Sequence, residues 1–269
     1  MSFITIQFKS FAIMRGTTVK VILPTDAMAG KVVDPPYKTL YFLPGYSADA
    51  TEILNYLSLR KQCELKGIAV VLVDGCNSFY IDHPESNQNF SQFIQDVVAQ
   101  TRRTLPLSDK REDTFIGGIS MGGYGALYNG MRFHETFSKI CVLSPAVDCW
   151  DLMCGENTFP GFTPAHFEAT FGSREKYENG GFDLFKVYSE EEKEMIPGIY
   201  MACGAQDPVL KGVHHLKQIL EDRQIPLLYE EGDGNHELEY WENHLDSMFS
   251  FLADIEPGTR NRLVLGNFG

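Results

Sequence analysis

Apolar residues along this chain fall into two kinds of run, strictly alternating ones and continuous or helically spaced ones. Residues 4–10 and 17–23 alternate apolar with polar positions, as half-buried antiparallel strands do, and 38–43 is a further strand stopped by Pro44-Gly45. These three predict an opening β meander. Residues 48–66 carry Ile53, Leu54, Leu57 and Leu59 at helix-like spacing, and 68–73 is a continuous apolar run typical of a strand covered on both faces. Phe90, Phe93, Ile94, Val97 and Val98 mark a helix reaching Thr104, an apolar run then leads from Thr114 into Ser120, a helix follows it, and 140–143 is another buried strand. Between Pro145 and Pro197 the pattern dissolves into polar, glycine and aromatic residues, among them Trp150, Phe159-Pro160-Gly161-Phe162 and Gly180-Gly181-Phe182. A long irregular insertion after a core strand is either a cover over a site or a surface excursion, and its aromatic content favours the cover. Order returns with a strand at 198–203, a helix at 209–223, a strand at 226–229 and a helix at 238–252, and a polar tail over 256–269 is expected on the surface. Repeated strand–helix–strand units predict an α/β fold, a single domain over 1–269 with a mostly parallel central sheet and helices on both faces, because parallel neighbours need long right-handed crossovers.

Composition narrows the partners. The 269 residues suffice for a large core, and 43% hydrophobic with 22% charged residues matches an ordinary soluble protein. A net charge of -13 and a pI near 5.0 would repel a phosphate backbone, so nucleic acid is not an expected partner. The first ten residues alternate instead of forming a basic region and an apolar core, and no apolar run approaches a membrane span, so neither a signal peptide nor a membrane partner is expected. Cys63, Cys76, Cys141, Cys149, Cys154 and Cys203 are scattered, which points to reduced thiols and a cytoplasmic location. Cys149 and Cys154 lack C-x-x-C spacing and neighbouring ligands, so no metal is expected, and nothing calls for an organic cofactor. A homo-oligomer is left open.

One short stretch carries chemistry. Gly118-Ile119-Ser120-Met121-Gly122 matches G-x-S-x-G, in which a serine sits on a strained strand-to-helix turn with its hydroxyl exposed above the sheet, and the glycines relieve the crowding of the reversal. Composition alone would produce such a match about once in ten chains, so the rest of the chain must supply a base and an acid. Ligands gather at the carboxyl ends of parallel strands. Asp207, in Gly204-Ala205-Gln206-Asp207-Pro208, and His236, in Gly232-Asp233-Gly234-Asn235-His236, follow the last two predicted strands, and the order Ser, Asp, His is that of the α/β-hydrolase arrangement. Asp207 before Pro208 also suits a helix N-cap, and Asp148 and Asp151, after the preceding strand, are its rivals as the acid. Asp233 reads as a turn residue. Among seven histidines, His236 combines a loop, a strand end and the right order. An oxyanion hole would use the Met121 N–H and a second donor from Leu43-Pro44-Gly45-Tyr46-Ser47, where Gly45 allows a close backbone approach and Tyr46 is the donor.

These residues resemble a known family. Leu43-Pro44-Gly45-Tyr46-Ser47, Ser78-Phe79-Tyr80, Gly118-Ile119-Ser120-Met121-Gly122-Gly123, Gly204-Ala205-Gln206-Asp207, and Asn235-His236-Glu237 followed by Tyr240-Trp241 look like the esterase family that includes esterase D, S-formylglutathione hydrolase and bacterial tributyrin esterases. The resemblance spans Phe3 to Phe251 and is closest to the tributyrin esterases. It implies an α/β-hydrolase hydrolysing short-chain acyl esters of small molecules through an acyl-enzyme on Ser120, with Gly45, Phe79, Tyr80 and Trp241 contacting substrate. Ser78-Phe79-Tyr80 reads equally as a packed aromatic turn. Many relatives have histidine where this chain has Pro44, which puts the side-chain hydrogen bonds of that loop in question. Beside the serine carboxylesterase stand a thioesterase of the S-formylglutathione hydrolase type, an acyltransferase or sugar-ester deacylase, and a non-catalytic binding protein on the same fold.

Overall fold

The computed structural model of the chain, which describes residues 1–26 and 33–259, begins with an antiparallel hairpin of β1 (Ser2–Ser10) and β2 (Arg15–Leu23). Exposure along β1 alternates residue by residue, as its sequence pattern requires of a strand with one wet face. β3 (Thr39–Leu43) leads through α1 (Ala50–Tyr56) and α2 (Leu59–Lys66) to β4 (Ala69–Leu72), which lies between β2 and β3 in the sheet. The expected meander is therefore corrected: β2 pairs with β4, not β3, because a parallel β3–β4 pair needs the α1–α2 crossover and that crossover delivers β4 to the hairpin's edge. The single helix expected over 48–66 is also two. At Leu57 the backbone is extended (φ -113°, ψ 137°), and the Ser58 N–H donates to the Glu242 carboxylate at 2.8 Å. Ile53, Leu57 and Leu59 keep one apolar spacing across the break because all three join the same core.

A small antiparallel pair, β5 (Asp82–His83) and β6 (Gln88–Asn89), stands apart from the main sheet. α3 (Phe90–Thr104), β7 (Thr114–Ile119), α4 (Met121–Arg132) and β8 (Lys139–Leu143) then continue the alternation. The segment over 145–197 holds four short helices, α5 (Cys149–Cys154), α6 (Pro164–Phe171), α7 (Arg174–Asn179) and α8 (Leu184–Glu190), and so is less irregular than its sequence suggests. β9 (Gly198–Gly204), α9 (Leu210–Asp222), β10 (Leu227–Gly232) and α10 (Leu238–Ala253) complete the chain. The eight-stranded order is β1-β2-β4-β3-β7-β8-β9-β10, and every pairing from β4 to β10 is parallel. Of the expected tail, the stretch beyond Thr259 lies outside the described residues.

Alternation along the central strands becomes two core faces. In β3, Tyr41 and Leu43 join one core with Phe93, Ile94 and Val97 of α3, Leu127 of α4 and Leu216 of α9. Leu40 and Phe42 join the other, with Ile53 of α1, Cys63 of α2, and Leu245 and Phe249 of α10. Each fully buried Leu or Phe contributes about 1.5–3 kcal/mol by area, and both faces are covered by helices, so the strands carry no polar side. The carboxyl ends of β3, β7, β8, β9 and β10 are thereby brought to one rim of the sheet, where the loops that follow them meet.

Candidate active site

Between the last residue of β7 and the first of α4 a single residue, Ser120, turns the chain. Its φ of 56° and ψ of -117° are strained for a residue with a side chain. Hydrogen bonds hold it there: its N–H donates to the Leu143 carbonyl, and its own carbonyl accepts from the Tyr124 and Ala146 N–H groups, each at 3.0 Å. The turn is so tight that a Cβ on Gly118 would meet the Gly122 carbonyl and one on Gly122 would meet the Leu43 carbonyl oxygen, so both flanking glycines are required.

The loops after β9 and β10 are strapped together. Ala205 N–H donates to Gly232 O at 2.8 Å, Gln206 N–H to Gly234 O at 3.0 Å, and Gly234 N–H returns to Gln206 Oε1 at 2.8 Å. This places Asp207 against His236. The Asp207 side chain is 0% exposed, both of its oxygens lie 3.0 Å from His236 Nδ1, and Oδ1 also accepts from Val209 N–H at 2.9 Å. A carboxylate only accepts, so Nδ1 carries the proton and Nε2 is left as acceptor for the Ser120 hydroxyl, 2.9 Å away. The imidazole, 12% exposed, is held laterally by Phe159 and Trp241, whose ring centroids lie 5.0 and 5.1 Å from its own. Asp207 thus shapes the turn before α9 and faces His236, but it is not the N-cap of that helix: the cap position is Val209, with no side-chain cap hydrogen bond.

The rival residues have other partners. Asp148 caps α5 by accepting from Asp151 N–H at 3.0 Å, and Asp151 pairs with Lys211 at 2.7 Å. Burial raises the Asp148 carboxyl above its ordinary range, with Asp151 and Asp183 adding to the rise and the Asp151 N–H and Lys211 opposing it. His214 faces Glu231, His244 Nδ1 faces Tyr240 O, and His166 closes a capping box with Thr163.

Ser120 and His236 open onto a cleft of about 410 Å³. Tyr46, Tyr56, Phe159, Phe162, Leu238 and Trp241 wall it, Gly45 reaches it, and Glu52 supplies its carboxylate. The Trp241 indole N–H donates to Ser144 Oγ at 3.0 Å. Among the described residues the Met121 and Tyr46 N–H groups have no acceptor, which for Met121 follows from its place at the first position of α4. A Cβ on Gly45 would sit 3.4 Å from Ile119 O and 3.5 Å from Ser120 Cβ, ordinary contacts, so the approach of this loop to Ser120 does not depend on glycine.

Phe79 and Tyr80 are corrected: neither lines the cleft. Both are buried with positive φ in an aromatic turn, Phe79 against Tyr46, Tyr124, Phe162 and Phe171. The Tyr80 hydroxyl instead braces the loop from below, donating to Pro44 O at 3.0 Å and Val73 O at 3.2 Å. Sequence reasoning placed Phe159 and Phe162 in a cover segment without naming them as site residues, and it had no signal for Glu52 and Tyr56, which α1 brings to the cleft. No group of three or more His, Cys, Asp or Glu side chains among the described residues could hold a metal ion, and no helix among them is long and apolar enough to cross a membrane.

Comparison with known proteins agrees with this geometry. An acetyl esterase of Caldicellulosiruptor saccharolyticus is 32% identical over 267 residues, covering 95% of this chain and 99% of the relative. Two Staphylococcus aureus structures superpose closely: a substrate-bound fluorophosphonate-binding serine hydrolase (27% identity, TM-score 0.79) and an S-formylglutathione hydrolase apoenzyme (26% identity, TM-score 0.80), each matching 94% of this chain and 98% of its own. The fold is that of the α/β-hydrolases, and the chain is a carboxylic ester hydrolase. A sequence model of the family described as "Putative esterase" matches residues 10–252, and the chain belongs to that family.

Proposed function

We propose that the chain is a serine carboxylesterase that hydrolyses short-chain acyl esters of small molecules through an acyl-enzyme on Ser120. The observation that carries this reading is the unbroken run of hydrogen bonds from buried Asp207 through His236 to a Ser120 hydroxyl at the mouth of an apolar cleft. Ser120 Oγ attacks the ester carbonyl carbon as its proton passes to His236 Nε2, and Asp207 stabilises the imidazolium through Nδ1–H. The oxyanion takes hydrogen bonds from the two unpartnered N–H groups of Met121 and Tyr46. Collapse breaks the bond to the leaving alcohol, which receives the proton from Nε2. Water then attacks the acyl-enzyme, His236 accepts its proton, and release of the acid returns that proton to Ser120. The acetyl esterase relative supports a short acyl group, and Phe159 and Phe162, which enter the cleft from the 145–197 cover, support a limit on its length. Six free cysteines support a reducing, cytoplasmic compartment.

The test is kcat/KM on p-nitrophenyl acetate, butyrate and decanoate beside S-formylglutathione. The reading expects acetate or butyrate to lead, and Ser120→Ala and Asp207→Asn to lower kcat by about 10³-fold or more with folding intact. Preference for S-formylglutathione would move the chain to the thioesterase reading, and full activity in Ser120→Ala would remove the nucleophile.

A further inference from the structure

Tyr46 belongs to two clefts. Besides the one onto which Ser120 opens, it lines a second of about 500 Å³, whose wall includes Arg15, Asn77, His83, Gln88 and His166. Asn77 ties the two together, its Oδ1 accepting from the Ser47 N–H at 2.8 Å. Their chemistry differs. The first is walled by aromatic and aliphatic side chains with Glu52 as its carboxylate, whereas the second has no Asp or Glu in its lining, in a chain of net charge -13.

Arg15, the cation in the lining of the second cleft, lacks a counter-ion. Arg15 reaches Cys76 Sγ at 3.1 Å and makes no ion pair among the described residues. Lys176 of α7 likewise makes none, and it adds to burial in pushing the His83 pKa down. Glu85 and Asp82 act on His83 in the opposite sense; Asp82 is engaged by Arg132 at 3.2 Å, and Glu85, like Lys176, lies outside the lining. His166 spends Nδ1 on Thr163, which leaves Nε2 for another partner. A guanidinium without a counter-ion in a cleft free of carboxylates, with imidazole and amide groups beside it to donate hydrogen bonds, raises the local concentration of anions in an acidic protein and selects them.

If the apolar cleft beside Ser120 takes the acyl chain, the remainder of the substrate is what the second cleft is left to hold. The geometry points to the Arg15–His83–His166 cleft as the leaving-group subsite, taking an alcohol that bears an anionic group such as a carboxylate. This rests on Ser120 being the nucleophile, which turnover of neutral esters tests separately.

The experiment compares kcat/KM for the O-acetyl ester of para-hydroxyphenylpropionate with that of its uncharged amide. The wild type is expected to favour the anionic ester by about two- to fivefold, the range of an exposed charge pair, and to lose the preference in roughly 0.5 M sodium chloride. Arg15→Gln and Lys176→Gln should each bring the ratio toward one and leave the neutral-ester rate unchanged. A wild-type ratio at or below one, or a ratio unmoved in the double variant, would overturn the subsite. An Arg15-dependent preference for p-nitrophenyl succinate over p-nitrophenyl butyrate would overturn its assignment to the leaving group. Failure of the wild type on the neutral ester would strike the serine-esterase reading instead.

Discussion

The indole N–H of Trp241 donates to Ser144 Oγ at 3.0 Å while its ring stands edge-on to His236, perpendicular to it with centroids 5.1 Å apart. Trp241 is therefore fixed at its far end by a buried hydroxyl on the loop after β8, and at its near end it limits how far the imidazole turns away from Ser120. A displacement of a reacting group by about 1 Å costs up to about 10²-fold in rate.

Trp241→Ala is accordingly expected to lower kcat on p-nitrophenyl acetate by about ten- to a hundredfold, with a smaller change in KM. Trp241→Phe keeps an aromatic edge beside His236 and loses only the N–H, so it should retain most of kcat and cost about 1 kcal/mol of stability. Steady-state kinetics and urea unfolding of both variants check this. If the alanine variant keeps full kcat, Trp241 merely fills space.

The same crowding that shapes the serine turn sets a sharp contrast between two glycines. A methyl on Gly122 would run into the Leu43 carbonyl, backbone against backbone, and relief requires α4 to part from the strand that ends at Leu43. Gly122→Ala should cost at least the roughly 1–3 kcal/mol of ordinary overpacking and abolish esterase activity. Gly45→Ala, whose added carbon meets only ordinary contacts, should stay within about 1 kcal/mol of wild type by urea midpoint. Equal losses in the two variants would refute the steric account.

How much of this was legible in the sequence depends on the range of the forces involved. Ser120, Asp207 and His236 sit at strand ends whose apolar runs are local signals, and the β7 and β9 runs were read nearly to their ends. The order of strands was not local: β4 enters between β2 and β3 because of a crossover, and alternation along 38–43 looks the same in either neighbourhood. Tyr80 shows the limit most clearly. Its motif was recognisable, but whether its ring faced substrate or protein depended on Gly75 and Gly125, distant from each other in sequence, both lacking the Cβ that would strike it. The wall from α1 was illegible for the same reason, whereas the cover was legible as a segment but not residue by residue.

Asp148 gives a pH-dependent outcome. Burial raises its carboxyl above the ordinary value of 3.8, so the folded state binds its proton more tightly than the unfolded state does. Stability from this group is present at low pH and is lost as pH rises through the raised folded value. Asp148→Asn removes the titration and keeps an oxygen to accept from the Asp151 N–H. Urea midpoints should be close for the two proteins in acid, and the variant should gain on wild type between the ordinary carboxylate value and neutrality. A variant that loses ground over that interval would show that Lys211 attraction outweighs burial.

On the proposed reading, Phe162 is the wall expected to set acyl length. Its ring packs edge-on against Tyr46 with centroids 4.9 Å apart and against Phe159 at 5.8 Å, and all three line the cleft onto which Ser120 opens. Truncation to alanine removes a wall without touching Ser120, His236 or Asp207. Each substrate methylene that gains a buried place is worth about 0.8 kcal/mol, or about fourfold in kcat/KM. Phe162→Ala should therefore raise the decanoate-to-acetate ratio on p-nitrophenyl esters by roughly tenfold or more, corresponding to two newly accommodated methylenes, while acetate turnover changes little. Because the variant also loses ring contacts that hold the cover, a thermal midpoint measured alongside separates a wider cleft from a loosened one. A shifted ratio with the midpoint nearly kept places the length limit in Phe162, and an unchanged ratio in a folded variant would move that limit to the α1 wall at Tyr56.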